Sequence, residues 1–400
     1  MNEKMYGLGS ARSVIREIFE YGKARKAEIG DENVFDFSLG NPSVPAPLCV
    51  KETLCDLLET KDPVSLHGYT SAQGDAEVRK KISQFIEKEY NSENTPVSSP
   101  DLIYLTSGAA AALTCTLTAI LNKGDEVLAL APFFPEYRVF VERTGASLVT
   151  VPCKSGSMRP DLDLIEDAIN EKTAAIIINS PNNPTGVVYP EEDIIGLSKL
   201  LSKASESIGH PIYLIADEPY RELVYGDCFV SYIPNYYENT VVCYSLSKSL
   251  SLPGERIGYV SVSPRTKDAQ KLYLALCGAG RALGFVCATS LFQYMMASLL
   301  GKTSDVSAYE ENRDILCSAL AEYGFSVTKP DGAFYLFVKS PISDAKKFCE
   351  KAKEYELLLV PSDSFGVEGY IRISYCVKKE QIERSLPAFK ALAEHYRKGE

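Results

Sequence analysis

Several things are missing from the sequence. No run of apolar residues is long enough to span a bilayer. There is no excess of positive charge. The formal net charge of −11 argues against nucleic acid and anionic membrane surfaces as partners, while leaving room for a local basic pocket that takes a small anion. The 11 cysteines are scattered singly and form no C-x-x-C pair, so neither a zinc site nor a thioredoxin-like motif is expected. They read as small core residues of a reduced, cytoplasmic protein. Met1 to Ser10 is polar and lacks the apolar stretch of a secretory signal. No internal repeat or low-complexity tract occurs, and tryptophan is absent.

What is present fits a large globular protein. At 400 residues the chain is too long for one ordinary small core and points to two domains, or to one with an appendage. Val14, Ile15, Ile18 and Phe19 recur with helical spacing, with Arg12, Arg16, Glu17, Glu20 and Lys23 off that face. Residues 34–39 read as a strand, followed by a Gly40-Asn-Pro turn and a proline-stiffened connector. From about residue 100 a rhythm sets in. Segments 102–106, 126–130, 175–179, 212–216, 241–245 and 258–262 are near-continuously apolar and alternate with helical stretches. This predicts an α/β fold, with a buried, mostly parallel sheet flanked by helices. From about residue 300 the pattern changes to that of a smaller α+β domain. It has a charged helix over 305–323, strands at 325–327, 332–338 and 370–375, and a last helix.

Four polar groups follow predicted strands, where ligands bind in such sheets. They are Asn179-Ser-Pro-Asn-Asn-Pro-Thr-Gly186, Asp217-Glu-Pro-Tyr220, Ser245-Leu-Ser-Lys248 and Arg256-Ile-Gly258. Each is common alone. Their combination, order and spacing resemble the class I, aspartate aminotransferase-like branch of the fold-type I pyridoxal-phosphate enzymes, from Leu39-Gly-Asn-Pro to Arg372. The resemblance implies a seven-stranded-type sheet in a large domain over 46–295. Residues 1–45 and 296–400 would form a small domain that closes over the substrate.

It also implies roles. Lys248 is expected to form the imine with the cofactor aldehyde and to shuttle the substrate α-proton. Asp217 would keep the pyridine nitrogen protonated, and Tyr220 and Asn183 would hydrogen-bond the phenolic oxygen. Ser245, Arg256 and the backbone of Gly108, Ala109 and Ala110 would form the phosphate cup. Phe134 would stack on the ring, at a position where the family often has tryptophan; Phe133 or Phe134 serving as plain core remains an alternative. Tyr69 resembles the tyrosine that reaches a neighbour's phosphate, which implies a homodimer.

For the substrate, the resemblance assigns Arg372 and the Gly40 backbone N–H to the α-carboxylate. Arg281 is a candidate for the distal carboxylate of aspartate, and a surface or interface ion-pair role for it stays equally open. The expected activity is transfer of an amino group from an amino acid, aspartate first, to a 2-oxo acid such as 2-oxoglutarate. Aromatic, alanine-type or broad specificity and a C–S β-lyase on the same scaffold remain alternatives. A DNA-binding regulator is disfavoured by the acidic chain and by the lack of a helix-turn-helix before residue 30. Gly278, Gly280 and Gly284 mimic a dinucleotide loop, but the spacing is wrong and Gly284 is expected to lead into a long helix.

Overall fold

The structure is a computed structural model that describes residues 1–10, 13–92 and 95–397. Its strands, in chain order, are β1 (Phe35–Asp36), β2 (Ile103–Thr106), β3 (Glu126–Ala131), β4 (Ser147–Pro152), β5 (Thr173–Asn179), β6 (Tyr213–Asp217) and β7 (Thr240–Ser245). There follow β8 (Gly258–Val262), β9 (Ser326–Val327), β10 (Tyr335–Lys339), β11 (Leu357–Leu358), β12 (Val360–Pro361) and β13 (Tyr370–Ser374).

Seven of them make the main sheet, in the order β2-β8-β7-β6-β5-β3-β4. Only β8 runs against its neighbours β2 and β7; the other pairs are parallel. The reason these strands carry little polar alternation is visible in β5. Ala175 and Ile177 face one apolar core, with helices Ala109–Ile120 and Ala269–Ala282. Ile176 and Ile178 face another, with helices Ala76–Tyr90, Glu191–Ile208 and Ser290–Leu299. Both faces are dry, so both sets of side chains must be apolar. Each large aliphatic side chain so buried contributes about 1.5–3 kcal/mol.

The second unit is the antiparallel sheet β12-β13-β10-β9, packed by helices Val306–Glu322, Ala345–Lys353 and Lys379–Arg397 around Phe334, Phe348 and Phe389. Helix Val14–Ile29 joins it through Ile18, which meets Leu358 and Val360, and β1 pairs with β11. Ser13 caps that helix by accepting from Arg16 N at 3.4 Å.

Three expectations need correction. Phe19 is 37 % exposed and stays outside the apolar contact made by Ile18 (Arg12 lies outside the described residues). The strand expected over 34–39 is only two residues long. The long helix expected after Gly284 is instead the separate helix Ser290–Leu299, and Gly278 and Gly280 lie inside helix Ala269–Ala282. A Cβ on Gly280 would stand 2.0 Å from Tyr104 Oη, so the glycine serves helix-to-sheet packing and no phosphate loop exists there. Among the described residues no helix is long and apolar enough to cross a membrane, and no cluster of three metal-ligating side chains occurs.

Candidate active site

The carboxyl ends of β5, β6 and β7 lie side by side and deliver Asn179 and Asn183, Asp217 and Tyr220, and Ser245 and Lys248 to one place. β10 and β13 of the smaller sheet bring Tyr335 and Arg372 from the opposite side, and the segment after β1 adds Leu39 and Gly40. Together they line a cavity of about 300 Å³, joined by Ala109, Ala110, Phe134 and Arg256.

Lys248 Nζ donates to Gly40 O at 2.6 Å. Burial pushes its ammonium down to about 8, and the nearby Arg372 and Arg256 act in the same direction. The result is an amine that is partly unprotonated near neutral pH, as a nucleophile or proton shuttle requires.

Asp217 is buried at the floor. Tyr137 Oη donates to its Oδ2 at 2.5 Å, while Oδ1 is buried without a partner. Burial drives this carboxyl up to about 7; the Tyr137 hydrogen bond pulls down and the Glu218 charge pushes up. A partnerless oxygen here suits a cationic N–H donor. Asn179 ties the floor together, donating to Asp217 O at 2.7 Å and accepting from Asn183 N at 2.7 Å. Tyr220 Oη and Tyr335 Oη are 2.9 Å apart.

An anion cradle adjoins this floor. Gly108 caps helix Ala109–Ile120 with φ of 82°, a conformation that favours glycine, and a Cβ there would meet Arg256 Nη2 at 2.6 Å. The first N–H groups of that helix and the Arg256 guanidinium therefore converge. Ser245 Oγ is buried without a partner in the same wall. Arg256 itself holds φ of 51°, an unfavourable conformation for a bulky residue and one that concentrates at functional sites. Phe134 lines the cavity, whereas Phe133 is only 4 % exposed and belongs to the core, which separates the two candidates for a stacking ring.

Arg372 is only 2 % exposed. It donates to Asn183 Oδ1 at 3.2 Å and to Ser38 O, and packs over Tyr335 and Phe365 at 4.9 and 5.1 Å. Its Nε lacks a partner, and no carboxylate pairs with it among the described residues. A buried guanidinium without a counter-charge is costly until an anion arrives, so this one favours a carboxylate ligand. Pyridoxal phosphate fits these residues. Asp217 Oδ1, Ser245 Oγ and the Gly108 cradle offer the partners that its ring nitrogen and phosphate need.

Two expected residues stand apart. Tyr69 is 91 % exposed, and Arg281 lies on the exposed side of helix Ala269–Ala282; neither lines this chain's cavity. Others were not singled out from sequence. Asn179 opens a motif already noted, four residues before Asn183, and Tyr137 lies three residues after Phe134. Tyr335 carried only the signal of the 332–338 segment, and Ile15 only that of an apolar helix face.

Comparison with known proteins shows the family. The family model "Aminotransferase class I and II" matches residues 32–389. The chain is 32 % identical over 361 residues to an aspartate aminotransferase of Thermotoga maritima, covering 89 % of this chain and 90 % of that one. It is 27 % identical over 390 residues to aromatic-amino-acid aminotransferase 2 of Thermococcus litoralis, covering 94 % of each. The crystal structure of an aminotransferase from Eubacterium rectale superposes with a TM-score of 0.96 at 53 % identity, over 99 % of both chains.

Proposed function

The chain belongs to the class I and II aminotransferases, and from that premise we propose that it moves the amino group of an L-amino acid, aspartate first, to a 2-oxo acid such as 2-oxoglutarate in two half-reactions. The family depends on pyridoxal phosphate. That cofactor supplies the electron sink that lets an α-proton leave and an amino group change carriers.

In this reading Asp217 holds the ring nitrogen, Tyr220 and Asn183 the phenolic oxygen, Phe134 the ring face, and Ser245, Arg256 and the Gly108–Ala110 backbone the phosphate. Arg372 grips the substrate α-carboxylate with its fork and so fixes the orientation of the α-carbon. Lys248 takes the α-proton and returns it. The lowered proton affinity of its amine is what allows it to act as a base near neutral pH. Residues 46–295 would act as a base, with 1–45 and 296–400 closing over the substrate to exclude water. A second copy of the chain would complete the site with its own Tyr69 and Arg281, whose exposure here is compatible with that role.

The observation that carries the reading is one cavity lined by a lysine amine of lowered proton affinity, a buried carboxyl with one partnerless oxygen, and a buried arginine that no carboxylate pairs with among the described residues. Apolar walls from Ile15, Leu39 and Leu113 favour a second reading, a neutral or aromatic donor. The test is a half-reaction screen of cofactor-loaded protein with single amino acids and no keto acid. Loss of the lysine-linked absorbance with aspartate, accompanied by oxaloacetate, supports the first reading; a response to aromatic amino acids alone supports the second. Pyruvate accumulating from cystathionine while the band returns intact would replace transamination by a lyase.

A further inference from the structure

Behind the strand ends, away from the cavity, lies a buried polar cluster that the proposed reaction does not use. Asp217 and Tyr220 turn toward the cavity, but Glu218, Arg221 and Glu222 of the same segment turn the other way. Arg221 pairs with Glu218 through two contacts, Nε to Oε2 at 2.6 Å and Nη2 to Oε1 at 2.5 Å. Its guanidinium lies beside the stacked rings of Tyr90 and Tyr232, 4.9 and 5.0 Å from their centroids, and donates to Val230 O and Ser231 O. This pair anchors the first segment.

Glu222 then reaches across to the next strand. Its Oε1 accepts from Tyr244 Oη at 2.8 Å, and Tyr244 Oη is 3.4 Å from Ser249 Oγ. Tyr244 immediately precedes Ser245, and Ser249 immediately follows Lys248. The chain Glu222–Tyr244–Ser249 thus links the segment with Asp217 and Tyr220 to the segment with Lys248 at two points. The groups facing Glu222 are Tyr244, Arg221, Glu218, Tyr90 and Tyr259. Two carboxyls share one guanidinium, and Glu222 Oε2 is buried without a partner. Burial therefore favours the neutral acid at Glu222, which still offers Oε1 to the Tyr244 hydroxyl. A buried carboxyl with no counter-charge of its own is costly in a core that apolar residues could fill.

We propose that Glu222 is a positioning residue, and that its hydrogen bond to Tyr244 holds Lys248 in place relative to Asp217 and Tyr220. This rests on the assignment of Lys248 and Asp217 as the reacting groups. The link works through the acceptor oxygen Oε1, which a glutamine offers as well.

Four variants of the cofactor-loaded enzyme test it: Glu222→Gln, Glu222→Ala, Tyr244→Phe and the Glu222→Ala/Tyr244→Phe double variant. The readouts are kcat, KM and the pH midpoint of the lysine-linked absorbance band. Tyr244→Phe keeps the ring that packs on Tyr259 at 5.0 Å, so it tests the link even where Glu222→Ala folds poorly. Glu222→Ala and Tyr244→Phe are each expected to lower kcat about tenfold, with KM little changed and the band midpoint displaced. The double variant should be no worse than either single one, because both break one link. Glu222→Gln should match the wild type in both readouts. Unchanged kcat and midpoint in Tyr244→Phe, additive losses in the double variant, or a Glu222→Gln as impaired as Glu222→Ala would each overturn the proposal. A wild type that forms no lysine-linked band removes the parent assignment as well; a loaded wild type with a silent Tyr244→Phe removes this proposal alone.

Discussion

Replacing Asp217 by asparagine should change how the cofactor-free protein responds to pH. Burial raises the Asp217 carboxyl from 3.8 to about 7 in the fold. In the unfolded chain it releases its proton near the ordinary value, so between these two limits the native state binds more protons than the unfolded one. Stability therefore falls as pH rises through that window, and the full penalty is present above about pH 7. At 1.36 kcal/mol per unit, the whole window is worth about 4 kcal/mol. The chain's isoelectric point of about 5.1 makes pH 6 the practical lower limit for measurement. Between pH 6 and pH 8 the remaining loss is about 1.4 kcal/mol. Urea unfolding of cofactor-free wild type and Asp217→Asn at both pH values isolates it. Asparagine does not titrate, so the variant should gain about that much relative to the wild type on going to pH 8. Adding pyridoxal phosphate to the wild type should erase the difference, because a protonated ring nitrogen beside Oδ1 restores the carboxylate. A wild-type-to-variant difference that is the same at pH 6 and pH 8 would refute the argument.

Three further outcomes are expected. Lys248→Ala should lose the lysine-linked band and about 10²–10⁴-fold in kcat; in the cofactor-free wild type, amine-directed labelling of Lys248 should titrate near pH 8, below ordinary surface lysines. Arg372→Lys keeps the charge but not the fork, and should raise KM for every amino acid about 10–100-fold in steady-state assays. Arg281→Ala should raise KM for aspartate well above that for alanine; equal effects on the two would exclude it from specificity.

The strands that build the floor were legible because both their faces are covered. Ile176, Ile177 and Ile178 leave no other reading once helices flank them. β4 was not legible. It is one of the two edge strands of the main sheet, its burial is patchy, and its sequence Ser-Leu-Val-Thr-Val-Pro lacks a continuous apolar run. Helix Ala269–Ala282 was obscured by glycines that sequence reasoning treats as breakers, yet one of them is needed for the approach of Tyr104. In the site, residues at the ends of parallel strands could be read from position plus residue type. Tyr335 and the Ser38 contact of Arg372 could not, because they depend on segments 115 and 334 positions apart meeting in the fold.

Substrate choice was the least legible property, and the cavity gives a physical reason. The basic residues lining it are Lys248, Arg256 and Arg372. In the proposed reaction each already has a task, at the amine, the phosphate and the α-carboxylate. None is left for a side-chain carboxylate, and the walls contributed by Ile15, Leu39 and Leu113 are apolar. A dicarboxylic donor would bury its second charge against those walls at a cost of several kcal/mol unless a cation came from elsewhere. Arg281 is exposed on this chain, so it can serve the site only from a second copy. Aspartate specificity and a shared dimeric site therefore stand or fall together. An obligate monomer with full aspartate activity would refute both the role of Arg281 and the charge argument, whereas a monomer that keeps only neutral or aromatic donors is what these walls predict.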